Sequence, residues 1–198
     1  MADLRSKVLQ RLEGWHHLGE KTAKSGAIQI ARVPHLAPEA WLHLVFAPIS
    51  QAGQKDLLDR VPSYAKSALR EIHANFNGIN LFSGNLFLYG RRTDYTRAID
   101  NVLPWDMANA NEENARRLPE GALLVGGSGA LPNGIDLVEL TGGRVIAVET
   151  KNWGHVLFEW ASLRKCILSE LDRLSPLFDE RGRPMDQAAL ANFSLRRT

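Results

Sequence analysis

The feature that most constrains this chain lies between Ala122 and Glu159. Four short apolar stretches, 122–125, 135–140, 144–150 and 155–159, follow one another with joints of three to nine residues. The joints carry Gly126-Gly127-Ser128-Gly129, Thr141-Gly142-Gly143 and Asn152-Trp153-Gly154, which read as turns between strands. Parallel neighbours need a crossover of about a dozen residues or more, so these strands must run antiparallel, as a meander.

Helical patterns flank this block. Ser50 is placed to cap a helix running to Arg60, and Val61-Pro62 ends it. A second helix spans 63–75, with Ala65, Ala68, Leu69 and Ile72 on one face, and Asn77-Gly78 stops it. Strand-like pieces follow at 79–82 and 85–89, where Leu86 and Leu88 alternate. A polar surface helix is expected over 106–117. A long apolar-striped helix is expected over 161–174, with a short tail helix beyond Pro184. Helices, an antiparallel sheet and a closing helix define an α+β fold, a twisted antiparallel sheet with helices packed against it. Residues 1–48, with a helix over 6–15 and a strand over 26–33, read as an N-terminal extension packed on a main domain of residues 49–198.

Composition removes several classes. In 198 residues, 44% are hydrophobic and 23% charged, which excludes disordered and fibrous chains. The formal net charge of +2 gives no electrostatic case for nucleic acid. The longest apolar run, Trp41 to Ile49, is interrupted by His43 and Pro48 and is far short of the roughly 20 residues of a membrane span. The polar start lacks a signal-peptide core. A lone cysteine, Cys166, excludes an internal disulfide and a multi-cysteine zinc site, so a cytoplasmic setting is expected.

Asp136 followed by Glu149-Thr150-Lys151 is the sharpest chemical pattern. It matches the arrangement of PD-(D/E)xK nucleases, in which two carboxylates bind Mg²⁺ and a lysine positions the attacking water. Alternation puts Glu149 and Lys151 on one face of a strand. Asp136 joins them only if a two-residue Gly142-Gly143 loop sets it opposite Glu149; a three-residue loop sets it opposite Val148. The competing reading is an ordinary hairpin charge cluster. The glycines at 126–129 lack the Gly-Lys-Ser/Thr and following helix of a phosphate-binding loop, and the histidines lack metal-ligand spacing. No cofactor is indicated. Trp153, beside Lys151 in a joint, and Trp105, between Pro104 and Asp106, are candidate protein-contact anchors, since an indole buries much area at small entropic cost.

The order of these motifs resembles the SMI1/KNR4 family, also called the SUKH superfamily. Val61-Pro62-Ser63-Tyr64, Leu69 and Asn77-Gly78 are similar to its Leu-Pro helix and Asn-Gly turn. Leu81-Phe82-Ser83-Gly84 and 86–90 are similar to its next strands, and Leu123 to Gly127 with Gly143-Arg144-Val145 to its central hairpins. Trp160-Ala161-Ser162-Leu163, running into Leu168 and Leu171, is similar to its closing helix, with Leu163 where a phenylalanine is usual. The resemblance covers roughly residues 49–180. It implies a non-catalytic α+β domain, of a superfamily whose bacterial members are mostly immunity proteins that bind polymorphic toxins of nuclease or deaminase type. The implied partner is a cognate protein toxin, with no membrane or nucleic acid, and the expected contact residues are Trp105, Glu149, Lys151 and Trp153. The alternative is a Mg²⁺-dependent nuclease using Asp136, Glu149 and Lys151.

Overall fold

A computed structural model describes residues 3–92, 102–129 and 134–191. Among these residues nine strands form one sheet in which each strand pairs antiparallel with its neighbours in the chain. They are β1 (Glu20–Thr22), β2 (Ile28–Arg32), β3 (Trp41–Val45), β4 (Ile79–Leu81), β5 (Leu86–Leu88), β6 (Leu123–Ser128), β7 (Ile135–Glu139), β8 (Val145–Glu149) and β9 (Asn152–Trp160). The helices are α1 (Leu4–Leu12), α2 (Gln51–Asp59), α3 (Lys66–Asn75), α4 (Met107–Asn114), α5 (Leu163–Leu174) and α6 (Gln187–Ala191). The α+β class follows directly, and no helix among the described residues is long and apolar enough to cross a membrane.

Side-chain oxygens start five of the helices by accepting from a backbone N–H three residues on. Asp3 accepts from Ser6 (2.7 Å), Ser50 from Gly53 (3.2 Å), Asp106 from Asn109 (2.9 Å), Ser162 from Lys165 (3.2 Å) and Asp186 from Ala189 (3.2 Å). Each bond satisfies a donor that the first helical turn leaves free.

Residues directly opposite in an antiparallel ladder share a face. One cross-sheet row, Ile28, Val45, Ile79, Leu88, Gly126, Leu137, Ala147 and Phe158, faces the helical layer. There it joins Leu4, Val8, Leu57, Leu69, Ile167 and Leu171 from α1, α2, α3 and α5 in a continuous core. The adjacent row, Gln29, Leu44, Asn80, Phe87, Gly127, Asp136, Val148 and Val156, lies on the outer face. Part of that face is also covered: Ala110 of α4 packs on Leu124, Val138, Ile146 and Val148. The 106–117 helix is therefore shorter than its polar sequence suggests and buries Met107 and Ala110.

Residues 3–48 share this sheet and core with the rest of the chain. Strands β1 to β3 belong to them, β3 pairs with β4, and the Trp15 indole donates to the Asp179 carbonyl at 3.0 Å. One sheet thus runs across position 48.

Two joints prove to be strand. Gly126, Gly127 and Ser128 lie inside β6 and are fully paired rather than forming a turn. The glycines are there for room: a Cβ on Gly126 would sit 2.1 Å from the Phe87 carbonyl oxygen, and one on Gly127 2.4 Å from that of Ile135. Asn152-Trp153-Gly154 opens β9, and the reversal falls on Thr150 and Lys151 instead.

The helix-side core also encloses His43, His73 and Glu139. His43 is fully buried and packs between Trp15 and Phe82 at ring separations of 5.2 and 4.7 Å. Its Nδ1 accepts from the Phe82 N–H at 3.3 Å, where Phe82 holds a left-handed φ of 52°. Burial pulls its pKa to about 3, helped by His16, and burial pulls that of His73 to about 4. Glu139 has no exposed surface, and neither carboxylate oxygen has a hydrogen-bond partner; burial raises its pKa to about 7.

These shifts oppose one another. Between about pH 4.5 and 6.5 the unfolded chain binds two histidine protons that the native state refuses, while the native state holds one proton on Glu139 that the unfolded chain has lost. The histidines win, so stability should rise with pH there by roughly 1 kcal/mol per unit. Glu139→Gln removes the opposing contribution. Urea titrations should show the variant roughly 2 kcal/mol more stable than the parent at pH 8, with a steeper loss on acidification. Equal stabilities at pH 8 would rule this account out.

Candidate interaction site on the outer sheet face

The outer face carries two of the four candidate contact residues. Trp105 is 50% exposed and stands edge-on to Phe87, with ring centroids 4.5 Å apart and planes at 84°. Its backbone is tied to the end of β5: the Gly90 N–H donates to the Trp105 carbonyl at 2.9 Å, and the Met107 N–H to the Gly90 carbonyl at 2.8 Å. Asp106 secures the same crossing by capping α4 and accepting from the Arg92 N–H at 2.9 Å. On the other side, the Asn77 amide accepts from the Arg91 N–H (2.7 Å) and donates to the Arg91 carbonyl (2.8 Å). The indole of Trp105 is thus exposed but held on a fixed backbone, which limits the entropy lost when a partner covers it.

Phe87 rests on the gap left by Gly127, where a Cβ would come within 2.7 Å of its ring. Tyr89 meets Phe87 edge-on at 5.4 Å. Burial, with the negative charges of Asp136 and Glu113, pushes the Tyr89 phenol up to about 12, so it stays a neutral hydroxyl.

Trp153 is half-buried on β9, with its ring among the outer-face apolar residues. Its indole N–H donates to Asp136 Oδ2 at 2.7 Å. The Arg117 guanidinium lies over the ring, 4.9 Å from its centroid, and also donates to the Thr150 carbonyl. Asp136 is only 8% exposed. Burial raises its pKa, against the hydrogen bonds from Trp153 and Thr150 and the charge of Arg117, which lower it. The cluster is a rigid junction between β7, β9 and the segment after α4.

The other two candidates lie elsewhere. Asp136 is opposite Val148, and Glu149 is opposite Ile135, so the two carboxylates occupy opposite faces of the sheet. Glu149 comes within 3.6 Å of His155, and Lys151 is exposed in the reversal that follows. The 140–144 joint takes the longer of the two loop lengths, and this register dismantles the Asp136–Glu149–Lys151 arrangement that a metal-dependent nuclease requires. Among the described residues no three His, Cys, Asp or Glu side chains are grouped to hold a metal ion. Cys166 is fully buried in α5.

Phe87, Tyr89 and Arg117 escaped the sequence reading. A signal for the first two was present: where Leu86 and Leu88 point inward, alternation sends Phe87 and Tyr89 to the other face. Nothing in the sequence places Arg117 over Trp153.

Trp153→Phe keeps a ring on the apolar patch but takes the indole donor from a buried carboxylate. Chemical denaturation should show a loss of about 1 to 3 kcal/mol, and a markedly smaller loss in an Asp136→Asn background. Equal losses in both backgrounds would show that the hydrogen bond is not what holds this junction. No protein-family model matches the chain, and no curated protein or solved structure matches it either.

Proposed function

We propose that this chain is a non-catalytic binding protein of SMI1/KNR4 type, an immunity protein that neutralises a polymorphic bacterial toxin of nuclease or deaminase type by occlusion. The order of motifs along residues 49–180 supports the family reading. The observation that carries the binding reading is Trp105: a half-exposed indole, braced by Phe87 and stitched to β5. Half-exposed aromatic side chains on a rigid backbone are the usual anchors of protein interfaces.

In this mechanism the toxin presses onto the outer face. Trp105 enters an apolar pocket on the toxin, and the sheet behind it blocks access to the toxin's active or substrate site. Arg117 and Lys151 supply positive charge at the rim and steer the encounter more than they hold the complex. Trp153 acts from below, fixing Arg117 and the β9 backbone. Glu149, on the opposite face, belongs to a different part of the surface. The cytoplasm, where a delivered toxin acts, is the proposed place of binding.

This reading requires a toxin domain encoded by a neighbouring gene, and that domain is the test partner. Co-expression should restore growth of cells making that toxin. Trp105→Ala should abolish rescue while leaving the thermal midpoint within a few degrees of the parent. Absence of rescue by the parent protein, or full rescue by a folded Trp105→Ala variant, would overturn the assignment of this face.

A further inference from the structure

The helical layer carries a second feature, on the side of the sheet away from Trp105. α2 and α3 pack together over Leu57, Leu58 and Leu69, and a groove of about 380 Å³ opens between them. That volume lies within the range of small-molecule sites, and every lining residue except Leu58 carries a polar or charged head on its side chain. Lys55 and Arg70 are exposed and Lys66 half-buried around it; Asp59 supplies the single carboxylate, and Leu58 lies at the bottom.

No carboxylate among the described residues holds these three cations, and they line one groove. Several arginines elsewhere are in ion pairs: Arg11 with Asp172 at 2.7 Å, Arg91 with Asp56 at 2.8 Å, Arg144 with Glu159 at 2.7 Å and Arg164 with Glu71 at 2.5 Å. Among the described residues Lys55, Lys66 and Arg70 form no such pair, although Glu71 and Asp56 are close in sequence; those carboxylates are committed to Arg164, Arg60 and Arg91. Three positive charges converge against one negative in a chain whose net charge is only +2. Gln51 and Gln54 add neutral amides, one Gln54 N–H already being donated to the Ile49 carbonyl at 3.3 Å.

We propose that the α2–α3 groove is a binding site for a small phosphate-bearing polyanion. The guanidinium of Arg70 offers the planar fork that matches two phosphate oxygens, and the lysines add point charges. An anion bearing two or more charges balances the excess, as a monocarboxylate does not. Apolar ligands are disfavoured because they would strip water from three ammonium or guanidinium groups without replacing it.

The probe is inorganic pyrophosphate, titrated calorimetrically into the full chain at low ionic strength, with citrate as a carboxylate of comparable charge. Saturable pyrophosphate binding is expected, tighter than that of citrate. The Lys66→Gln/Arg70→Gln pair should weaken it by about tenfold or more, and amide NMR should place the perturbed signals on α2 and α3. Lys165→Gln, on the exposed side of α5, should bind as the parent does. No saturable binding, binding unchanged in the folded double variant, or equal affinity for citrate would each overturn the proposal. Trp105→Ala should leave pyrophosphate binding intact, so the groove and the outer face stand or fall separately.

Discussion

The outer face depends on a side chain that is absent. At Gly127 the strand β6 presents bare backbone between Phe87 and Asp136, and the Phe87 ring occupies the space. Lying there, Phe87 becomes the wall against which Trp105 stands, and Tyr89 closes the other side. A methyl at 127 would collide with the Ile135 carbonyl and the Phe87 ring together, so the ladder and the aromatic cluster would be lost in one step. The neighbouring Gly126 performs the same service for β5, whose three residues must approach closely to pair at all.

This arrangement explains why β6, β7 and most of β8 are buried on both faces, unusual for an antiparallel sheet. The helical layer covers one side and α4 the other, locked to β6 by Asn111, whose amide accepts from the Leu124 N–H and donates to its carbonyl, both at 2.8 Å. Those bonds serve the backbone where the β6 register slips between Leu124 and Gly126, a position the regular ladder would leave unpaired. Double burial makes the polar side chains on β7 consequential. Asp136, facing outward, is met by Trp153 and Thr150; Glu139, facing the helices, is met by no hydrogen-bond donor and stays protonated toward neutral pH. The two carboxyl groups differ by three positions and by one face, and that alone makes one a junction and the other a liability.

Much of the fold was legible in the chain because local chemistry and tertiary packing agree. Ser50 caps the helix it announces, and of the expected stripe Leu163, Ile167, Leu168, Leu171 and Leu174 all are buried but Leu168, which is half-buried. Antiparallel order followed from joints too short for crossovers. The reading failed where a residue type has two uses. Glycine signals both a reversal and a crowded strand, and at 126–127 crowding from β5 decides; that partner lies some forty residues upstream, beyond any local window. Trp153 looked like a turn residue because Gly154 follows it, yet both lie within β9, in the stretch where the register against β8 slips between Asn152, opposite Glu149, and Val156, opposite Val148. The nuclease pattern failed on register: one residue in the 140–144 joint moves Asp136 from facing Glu149 to facing Val148, and spacing alone left that choice open. For the candidate site, the sequence offered the two tryptophans but not the Phe87 ring and Arg117 guanidinium that hold them.

A net charge near zero is easily read as a surface without preference, but here it conceals segregation. Aromatic surface gathers on the outer face around Trp105, while Lys55, Lys66 and Arg70 line the groove between α2 and α3 on the far side. Between the two lie β4 and β5, short strands with core residues on one face and Asn80 and Phe87 on the other. A partner seated on Trp105 would press on a sheet whose rows are buried and paired, and such a layer transmits little displacement because every shift must move a packed neighbour. Simultaneous occupancy of the two surfaces is therefore the default expectation. Coupling between them would require an element with two discrete arrangements. The ladder from β3 to β7 has one register throughout, interrupted only at the bulge that Asn111 already fills. A rigid sheet of this kind suits recognition by shape: it presents Trp105 in one place, and it keeps what happens in the helical groove from moving it.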